Sequence, residues 1–560
     1  MKRFVKRTLA VGAAAIVAWL SIHAARNDFG LGRNMEILIN MMRELAVNYV
    51  DEVDPNSLAL GAAEGMMRSL DPYTEYLPEE EMSAFEMMTT GKYGGVGAVI
   101  RKRDDYVVIA QPYKGTPSDR AGLKIGDKIL AIDGQSARGF STEDVSKRLK
   151  GDPGSTVKVT VERIVDGSEL TVTLRRERIA IPSIPYAGFV GEGIAYIRHD
   201  DFTEDSYREM RAAIERLQAE QPLRGIILDY RNNGGGIMQE AVKVISLFVP
   251  KGIEAVSMRG RTRSSNKTYR TEFEPIVADT VPVAVLINGS TASSSEIVAG
   301  ALQDLDRAVV IGQRSFGKGL VQTTRPVGYN SFVKMTTAKY YTPSGRCVQA
   351  IDYSGHAADG SATVVPDSLI HSFSTSRGRT VRDGGGITPD IVTKPEYLGR
   401  FAMALYALGY IEEFGDEYYR EHHDQKVDNR SFSITDADYE QFRRFMADRD
   451  VAYESETRRT LTSLRKAAST DLFDGELNPL IDSMERVLRD DKQTNLETYR
   501  DDIVKLINSD IVMRHGYAAG VAEHNLVNDG EVARAVQLLN DRAEYDSLLA
   551  PPAGEAADAE

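Results

Sequence analysis

The spacing of hydrophobic residues predicts helices near the start of the chain. Over residues 31–91, apolar side chains recur three and four positions apart, as at Met35, Leu38 and Met42. This is the period of one face of an α-helix. A second helix is predicted from Pro55 to Leu70, because Asp71-Pro72 stops its continuation. We therefore expect a helical N-terminal region over residues 31–91.

The pattern changes to short apolar runs between residues 92 and 178. Turns that contain Gly or Asp separate these runs, and runs of this length are typical of strands. The predicted strands are Gly97–Arg101, Tyr106–Gln111, Lys128–Ile132, Thr156–Arg163 and Glu169–Arg175. Residues 92–178 are therefore predicted to form a small, mostly β structure, which we call the β module.

Apolar strands alternate with helices over residues 179–398. The runs Gly225–Asp229 and Val281–Asn288 each lead into a turn and then a helix, which is typical of an α/β core. Residues 399–550 are polar and periodic and predict a C-terminal helical domain, while the composition of residues 551–560 favours a disordered tail. The predicted fold class is therefore α/β and multidomain, with helical regions at both ends.

The first 25 residues have the pattern of a secretory signal. Four basic residues by position 7 precede an apolar run from Leu9 to Leu20. The run is short for a membrane span, which needs about 20 residues. Ile22 is too large for a good cleavage site ending at Ala24. Residues 1–25 are thus expected to be a signal peptide or an N-terminal membrane anchor, which places the protein in the periplasm or cell envelope.

Composition narrows the possible functions. The net charge of −14 argues against a nucleic-acid partner, because nucleic-acid binding needs a basic face. Cys347 is the only cysteine, so no intramolecular disulfide and no thiolate metal cluster can form. The eight histidines show no helical metal-ligand pair. We predict no metal site and no cofactor.

The β module carries the features of a peptide-binding groove. Glycines in the segment Lys92–Gly97 free backbone N–H groups to converge on a carboxylate. A helix predicted over Ser141–Lys150 places Val145 and Leu149 on one face, so a strand edge and an apolar helix would flank an extended peptide. Together with the string AGLKIGDKILAIDG at 121–134, the module resembles a PDZ domain. The predicted peptide-binding residues are Gly95, Val96, Gly97, Val145 and Leu149. The alternative is a small β domain without a ligand.

Two turns between strands and helices carry candidate chemistry. Asn232-Asn233-Gly234-Gly235-Gly236 precedes a helix, where backbone N–H groups can face an anion or simply form a tight turn. The segment Asn288–Glu296 follows a strand and holds three consecutive serines, Ser293 to Ser295. A serine at such a position is presented at a helix N-terminus, where the next N–H can stabilise an oxyanion. Ordinary helix capping is the alternative interpretation.

A lysine between two glycines follows the second turn. Lys318 lies in the string SFGKGLVQ at 315–322, with apolar residues nearby. Burial favours the neutral amine, which can accept a proton from a serine hydroxyl. Gln322 lies four residues later and can orient that amine. Taken alone, Lys318 is better explained as a solvated turn lysine.

The strings TASSSE (291–296), AGALQDLDRA (299–308) and SFGKGLVQ together resemble the carboxyl-terminal processing proteases of the S41 peptidase family. Further family strings follow in order over about residues 31–395, among them SLDP at 69–72, YTPSGR at 341–346 and GITPD at 386–390. The resemblance implies an S41-type α/β protease core with an inserted PDZ domain. It implies a serine endopeptidase that binds the free C-terminal tail of envelope proteins through the PDZ domain.

The resemblance also implies roles for single residues. Ser293, which lies 25 residues before Lys318, corresponds to the nucleophile. Lys318 corresponds to the base and Gln322 to its orienting residue, while the N–H groups of Gly235 and Ser294 would form the oxyanion hole.

The sequence departs from the family pattern at several places. Ser294 and Ser295 are rival nucleophiles, Gly234 replaces a usual proline, and polar residues 354–384 are inserted. One rival hypothesis is a PDZ scaffold with an inactive protease domain. Another is a Ser–His–Asp hydrolase that uses His199 or His356. A homo-oligomer and membrane attachment by the N-terminal segment both remain open.

Overall fold

The computed structural model describes residues 30–356, 362–488 and 492–551. Within these ranges, no helix combines the length and the hydropathy needed to cross a membrane. The predicted signal or anchor at 1–25, nearly all of the predicted tail at 551–560 and part of the insertion at 354–384 lie outside the described residues. Those predictions therefore stay predictions.

Helices and strands are numbered here in chain order. The helices are α1 (30–48), α2 (Pro55–Arg68), α3 (Met82–Thr90), α4 (Pro117–Arg120), α5 (Thr142–Leu149), α6 (Ser206–Glu220), α7 (Met238–Ile245), α8 (Ser294–Asp304), α9 (Arg400–Ala407), α10 (Tyr410–His422), α11 (Asp436–Phe445), α12 (Glu456–Thr470), α13 (Asp474–Val487), α14 (Lys492–Thr498), α15 (Arg500–Asn525), α16 (Gly530–Asn540) and α17 (Arg542–Leu548). The strands up to the core are β1 (Glu75–Leu77), β2 (Lys92–Gly95), β3 (Ala98–Arg103), β4 (Tyr106–Pro112), β5 (Lys128–Ile132), β6 (Gln135–Ser136), β7 (Thr156–Glu162), β8 (Glu169–Arg175) and β9 (Glu177–Ala180). The later strands are β10 (Tyr186–Gly191), β11 (Ile194–Arg198), β12 (Gly225–Asp229), β13 (Glu254–Gly260), β14 (Lys267–Arg270), β15 (Val283–Ile287), β16 (Val309–Gly312), β17 (Leu320–Gly328), β18 (Ser331–Tyr341), β19 (Ile351–His356), β20 (Ala362–Val364), β21 (Ser372–Ser374), β22 (Thr380–Arg382) and β23 (Ile391–Val392).

The described residues fall into two compact units. The first consists of residues 30–80 and 322–337. In it, β1 pairs antiparallel with residues 332–334 of β18. Asp54 caps the start of α2 by accepting hydrogen bonds from two backbone N–H groups, and α2 contains no buried residue. The predicted N-terminal helices are therefore confirmed, with one short strand that the sequence did not suggest.

The second unit contains the β module, the core and the C-terminal helices. In the β module, β3, β4, β5, β7 and β8 form an antiparallel sheet, to which β6 is added. Helix α5 begins with a capping box between Ser141 and Asp144, which satisfies two backbone N–H groups that would otherwise lack partners. The predicted strands and helix of this module are confirmed to within two residues.

A six-stranded sheet forms the core of the second unit. Its order is β10-β11-β12-β15-β16-β23, with β10 antiparallel and all later neighbours parallel. Strands β12, β15 and β16 are fully buried, as expected for parallel strands covered on both faces. The α/β fold class is confirmed. A second sheet lies in the same unit, where β13 pairs with β14 and with residues 338–341 of β18.

Seven of the nine C-terminal helices in the described residues, all except α12 and α13, contribute to one of two hydrophobic clusters. Most pack on one another around Phe401, Phe414, Phe442 and Ile507. Helices α16 and α17 instead cover one face of the core sheet, through residues such as Leu538. The last two helices are therefore a layer of the α/β core.

The β module and the C-terminal helices are joined by a cluster of ions. Asp416 of α10 pairs with Arg103 of the module and with Arg514 of α15, where its Oδ1 lies 2.6 Å from Arg514 Nη1. Arg514 is buried, and its Nε lies 2.7 Å from Asp510 Oδ2. Close by, Tyr517 donates a hydrogen bond of 3.0 Å to Asp119. Tyr517 has a φ of 54° inside α15, a strained conformation for a residue with a side chain.

Candidate active site

Ser293 lies at a sharp bend between a buried strand and a buried helix. We call residues 288–296 the serine elbow; it joins β15 to α8. Ser293 has a φ of 55° and a ψ of −118°, which costs energy for any residue with a Cβ. Strain of this kind persists at functional sites because the surroundings hold it in place. The serine is half-buried, which leaves part of it open to solvent.

The two neighbouring serines are engaged in structural hydrogen bonds. Ser294 Oγ donates to the carbonyl of Gly236 at 2.9 Å, and Ser295 Oγ donates to the carbonyl of Asn233 at 3.1 Å. Both side chains are buried. The geometry therefore favours Ser293 over its rivals as the reactive hydroxyl.

The glycine turn, residues 232–236 after β12, lies directly against the serine elbow. A Cβ added to Gly235 would lie 2.7 Å from Ser293 Cβ and 2.8 Å from the backbone nitrogen of Ser294. Gly235 also has a φ of 100°, so only glycine fits this approach. Its N–H donates to Asn233 Oδ1 at 2.8 Å. The predicted oxyanion residues Gly235 and Ser294 are thus brought beside Ser293.

Lys318 lies on the lysine loop, residues 315–319, which runs beside the elbow. The N–H of Phe316 donates to the carbonyl of Thr291 at 2.9 Å. A Cβ on Gly317 would lie 2.4 Å from Ala350 Cβ, which explains the glycine that precedes Lys318. Lys318 is half-buried.

A buried carboxylate connects Ser293 with Lys318. Glu296 Oε2 accepts hydrogen bonds from the backbone N–H groups of Ser293 and Lys318, each 2.8 Å long. The two backbone nitrogens therefore lie no more than twice 2.8 Å apart. Glu296 Oε1 accepts from the N–H of Gly317 at 2.8 Å and from Ser315 Oγ. One side chain thus fixes the serine elbow to the lysine loop.

The electrostatics of Glu296 reflect this role. Its side chain is fully buried, and burial raises the pKa of its carboxyl while the four hydrogen-bond donors act in the opposite direction. Because all four partners are donors, the site suits the ionised carboxylate. The sequence suggested only a capping role for Glu296. Its position three residues after Ser293 was the available signal, but it gave no hint of the lysine loop.

Tyr340 supplies a second connection between the same two segments. Its hydroxyl donates to the carbonyl of Ser293 at 3.1 Å, and its N–H donates to the carbonyl of Gly319 at 2.9 Å. The side chain is buried, and burial raises its pKa well above the usual value, so the hydroxyl keeps its proton and remains a donor.

Gln322 lies on β17 and belongs to the other compact unit. Within that unit, its Nε2 donates to Thr336 Oγ1 at 3.1 Å. Its predicted role as the orienting residue stays a prediction.

The histidine of the rival hydrolase hypothesis is a core residue. His199 is fully buried, and its ring centroid lies 4.2 Å from that of Phe202 and 5.3 Å from that of Tyr230. Burial lowers its pKa to about 3. This environment is that of a packed aromatic cluster. His356 is the last residue of β19.

The predicted peptide-binding residues lie in the β module. Gly95, Val96 and Gly97 are buried, and Gly97 has a φ of 78° beside Thr116. Val145 is fully buried and Leu149 is nearly so, both inside the core of the module. Their contact with a substrate stays a prediction. Among the described residues, no group of three or more acidic, His or Cys side chains is arranged to hold a metal.

Comparison with known proteins identifies the family. Residues 193–359 match the model of peptidase family S41, residues 108–163 match a PDZ domain, and residues 401–539 match "Probable PDZ-protease, C-terminal helical domain". A "Carboxy-terminal-processing protease" of Bartonella bacilliformis is 34% identical over 60% of this chain and 78% of its own length. The chain belongs to the carboxy-terminal processing proteases of peptidase family S41. It is a serine protease with a PDZ domain.

Two further proteins are similar to this chain. A "Probable CtpA-like serine protease" of Staphylococcus aureus is 32% identical over 61% of this chain and 68% of its own length. A solved structure described as the photosystem II D1 C-terminal processing protease is 27% identical over 64% of this chain and 87% of that one, with a TM-score of 0.35. The two curated relatives are named as proteases, which favours an enzyme over the inactive-scaffold hypothesis.

Proposed function

We propose that this processing protease cleaves its substrates with a dyad in which Ser293 is the nucleophile and Lys318 is the base. The observation that carries the proposal is the carboxylate of Glu296, which binds the backbone N–H groups of both residues. The strained backbone of Ser293 is a further argument, since such strain concentrates at reactive serines.

The proposed reaction proceeds through an acyl-enzyme. Ser293 Oγ attacks the scissile carbonyl while its proton passes to the neutral amine of Lys318, which then protonates the leaving amine. Water hydrolyses the resulting ester by the reverse proton transfers. The N–H groups of Ser294 and Gly235 would stabilise the oxyanion. Because the Gly235 N–H donates to Asn233 Oδ1, the oxyanion has to displace that amide oxygen. Gln322 keeps its predicted role.

The proposed substrates are envelope proteins with a free C-terminal tail. The PDZ domain favours such substrates, because this domain type adds an extended peptide to a sheet edge. Gly95, Val96 and Gly97 would bind the terminal carboxylate. The basic and apolar N-terminal segment supports export to the periplasm or cell envelope, with cleavage or membrane anchoring as the two outcomes.

Turnover of a fluorogenic peptide with a free apolar C-terminus tests the mechanism. Ser293→Ala and Lys318→Ala should each abolish cleavage without changing the circular dichroism spectrum. Ser290→Ala is the matched control, since Ser290 is an exposed serine of the same elbow. Native turnover in either of the first two variants would refute the dyad.

Two further measurements test substrate and location. Amidation of the peptide C-terminus removes the charge that the glycine loop would bind, so the amide should be cleaved much more slowly than the acid. Equal rates would exclude carboxylate recognition. Alkaline phosphatase fused after residue 30 becomes active only if the segment directs export.

Self-association through the N-terminal helices completes the proposal. Residues 30–48 and α2 expose many apolar side chains, among them Met35, Ile39, Val47 and Met66, and such exposed patches mark interaction sites. We propose that a second copy of this chain packs on this apolar surface. Ile39→Glu should reduce the mass measured by light scattering to that of one chain; an unchanged mass would refute this part.

A further inference from the structure

Arg231 leads from β12 into the glycine turn and is held by carboxylates from two regions of the chain. Asp229, at the end of β12, contacts Nε and Nη2 of Arg231. Asp529 and Glu531 come from the start of α16, 298 and 300 residues after Arg231. Asp529 Oδ2 lies 2.7 Å from Nη2, and Glu531 Oε2 lies 2.9 Å from Nη1.

This ion cluster is largely shielded from water. The Arg231 side chain is 17% exposed, and those of Asp529 and Glu531 are 18% and 15% exposed. Burial alone would lower the pKa of Arg231, but the carboxylates of Asp229 and Asp529 outweigh it and raise the pKa. Shielded charge pairs of this kind hold their partners in fixed geometry, because breaking one leaves an uncompensated charge.

Glu531 contacts two more strand ends through its other oxygen. Glu531 Oε1 accepts hydrogen bonds from Gln313 Nε2 and from Thr393 Oγ1. Gln313 follows β16, and Thr393 follows β23. The start of α16 therefore connects the carboxyl ends of β12, β16 and β23, the edge of a parallel sheet where active sites form.

Strands β12 and β16 lead directly to the reacting groups. Asn232, next to Arg231, donates its N–H to Asn288 Oδ1 at 3.0 Å and so contacts the serine elbow. Gly235 of the same turn lies against Ser293. Gln313 precedes the lysine loop by two residues. Glu531 thus holds with one oxygen the start of the glycine turn and with the other the approach to Lys318.

We propose that Asp529 and Glu531, from the C-terminal helical region, are positioning residues for catalysis that set the geometry of the glycine turn and the lysine loop. The proposal rests on the Ser293–Lys318 dyad proposed above. It means that the active site is completed by a segment outside the matched peptidase region, which ends at residue 359.

Steady-state kinetics of the full chain on the free-acid peptide tests this proposal. Glu531→Gln removes the charge but keeps the side-chain size. Asp529→Asn removes charge while keeping the cap of α16, because Asn caps helices as well as Asp does. Glu544→Gln is the matched control: it breaks the half-buried pair between Arg534 and Glu544 on α16 and α17, which has no contact with the strand ends in the described structure.

We expect Glu531→Gln to lower kcat by about tenfold or more and to change KM by less than about twofold. This loss of kcat is smaller than the roughly 10²- to 10³-fold loss that follows removal of an oxyanion donor itself. Asp529→Asn should lower kcat by several-fold. In an Arg231→Met background, Asp529→Asn should lower kcat no further, because Asp529 acts through Arg231.

Two results would overturn the proposal. The first is a wild-type kcat in both single variants while Ser293→Ala is inactive. The second is that Glu544→Gln and Glu531→Gln lower kcat equally while their melting temperatures are the same. This result would indicate a general structural effect. Activity in Ser293→Ala would instead refute the dyad, and the kcat values of the Asp529 and Glu531 variants could still be compared with that of Glu544→Gln.

Discussion

Replacing Glu296 by Gln tests whether one buried carboxylate aligns Ser293 with Lys318. The amide has one acceptor oxygen where the carboxylate has two. If that oxygen takes the place of Oε2, it keeps the N–H groups of Ser293 and Lys318. The NH₂ group then faces Ser315 Oγ, which can accept, and the N–H of Gly317, which cannot.

The expected cost follows from the number of donors left without an acceptor. In Glu296→Gln the Gly317 N–H loses its acceptor, which costs about 1–3 kcal/mol, and the Ser315 hydroxyl has to turn its proton away from residue 296. Glu296→Ala would strand three backbone N–H groups and cost about three times as much, a large part of the roughly 5–15 kcal/mol by which domains are stable. The Gln variant should therefore fold, and it is the informative one.

Activity should fall together with stability in this variant. The lysine loop shifts where Gly317 loses its bond, and a misplacement of about 1 Å can cost roughly 10²-fold in rate. We expect kcat to fall by about ten- to a hundredfold. The assay combines peptide turnover with urea denaturation followed by circular dichroism.

A largely buried carboxylate that contacts the other end of α8 provides the control. Asp390 accepts the N–H of Val310 at 2.8 Å and pairs with Arg379, and Gln303 near the end of α8 also donates to it. Asp390→Asn should lower stability by a similar amount with kcat nearly unchanged. A Glu296→Gln enzyme with native kcat, or equal kcat losses in the two variants, would refute the alignment role.

Three other predictions concern neighbouring features. Ser294→Ala and Ser295→Ala remove bonds to the glycine turn and should lower turnover without abolishing it. The pKa of His199 is lowered to about 3 from 6.5, so the unfolded chain binds a proton that the folded chain does not as pH falls through this window. Stability should fall there, and His199→Leu should reduce the fall in urea unfolding measured from pH 7 to pH 4. Arg514→Met removes the arginine that pairs with Asp510 and one of the two that pair with buried Asp416, and it should cost about 3–5 kcal/mol by the same assay.

Much of the local structure follows from the sequence. Strands β5 and β8 begin and end where their apolar runs do, because Gly and Asp turns bound them. The serine elbow was also predictable, since an apolar strand leads straight into Ser- and Thr-rich turn residues and a helix. Such features depend on residues close together in the chain.

The sequence predicts less where a helix face packs against residues that are distant in the chain. Val145 and Leu149 share a helix face, which the structure buries in the core of the β module, and their predicted contact with a peptide stays a prediction. Periodicity identifies a buried face without identifying what covers it. For the same reason, the apolar face of α16 gave no sign that it packs on the core sheet.

The ion cluster between the β module and the C-terminal helices limits how freely the module can be exchanged. The module supplies Arg101 and Arg103, while Glu412, Asp416, Asp510 and Arg514 come from the helices. The charges balance only when both parts are present. A chimera that carries a PDZ domain without the two arginines would leave three carboxylates around one guanidinium. Module and helices must therefore change together, as a matched pair, when such proteases diversify or are redesigned.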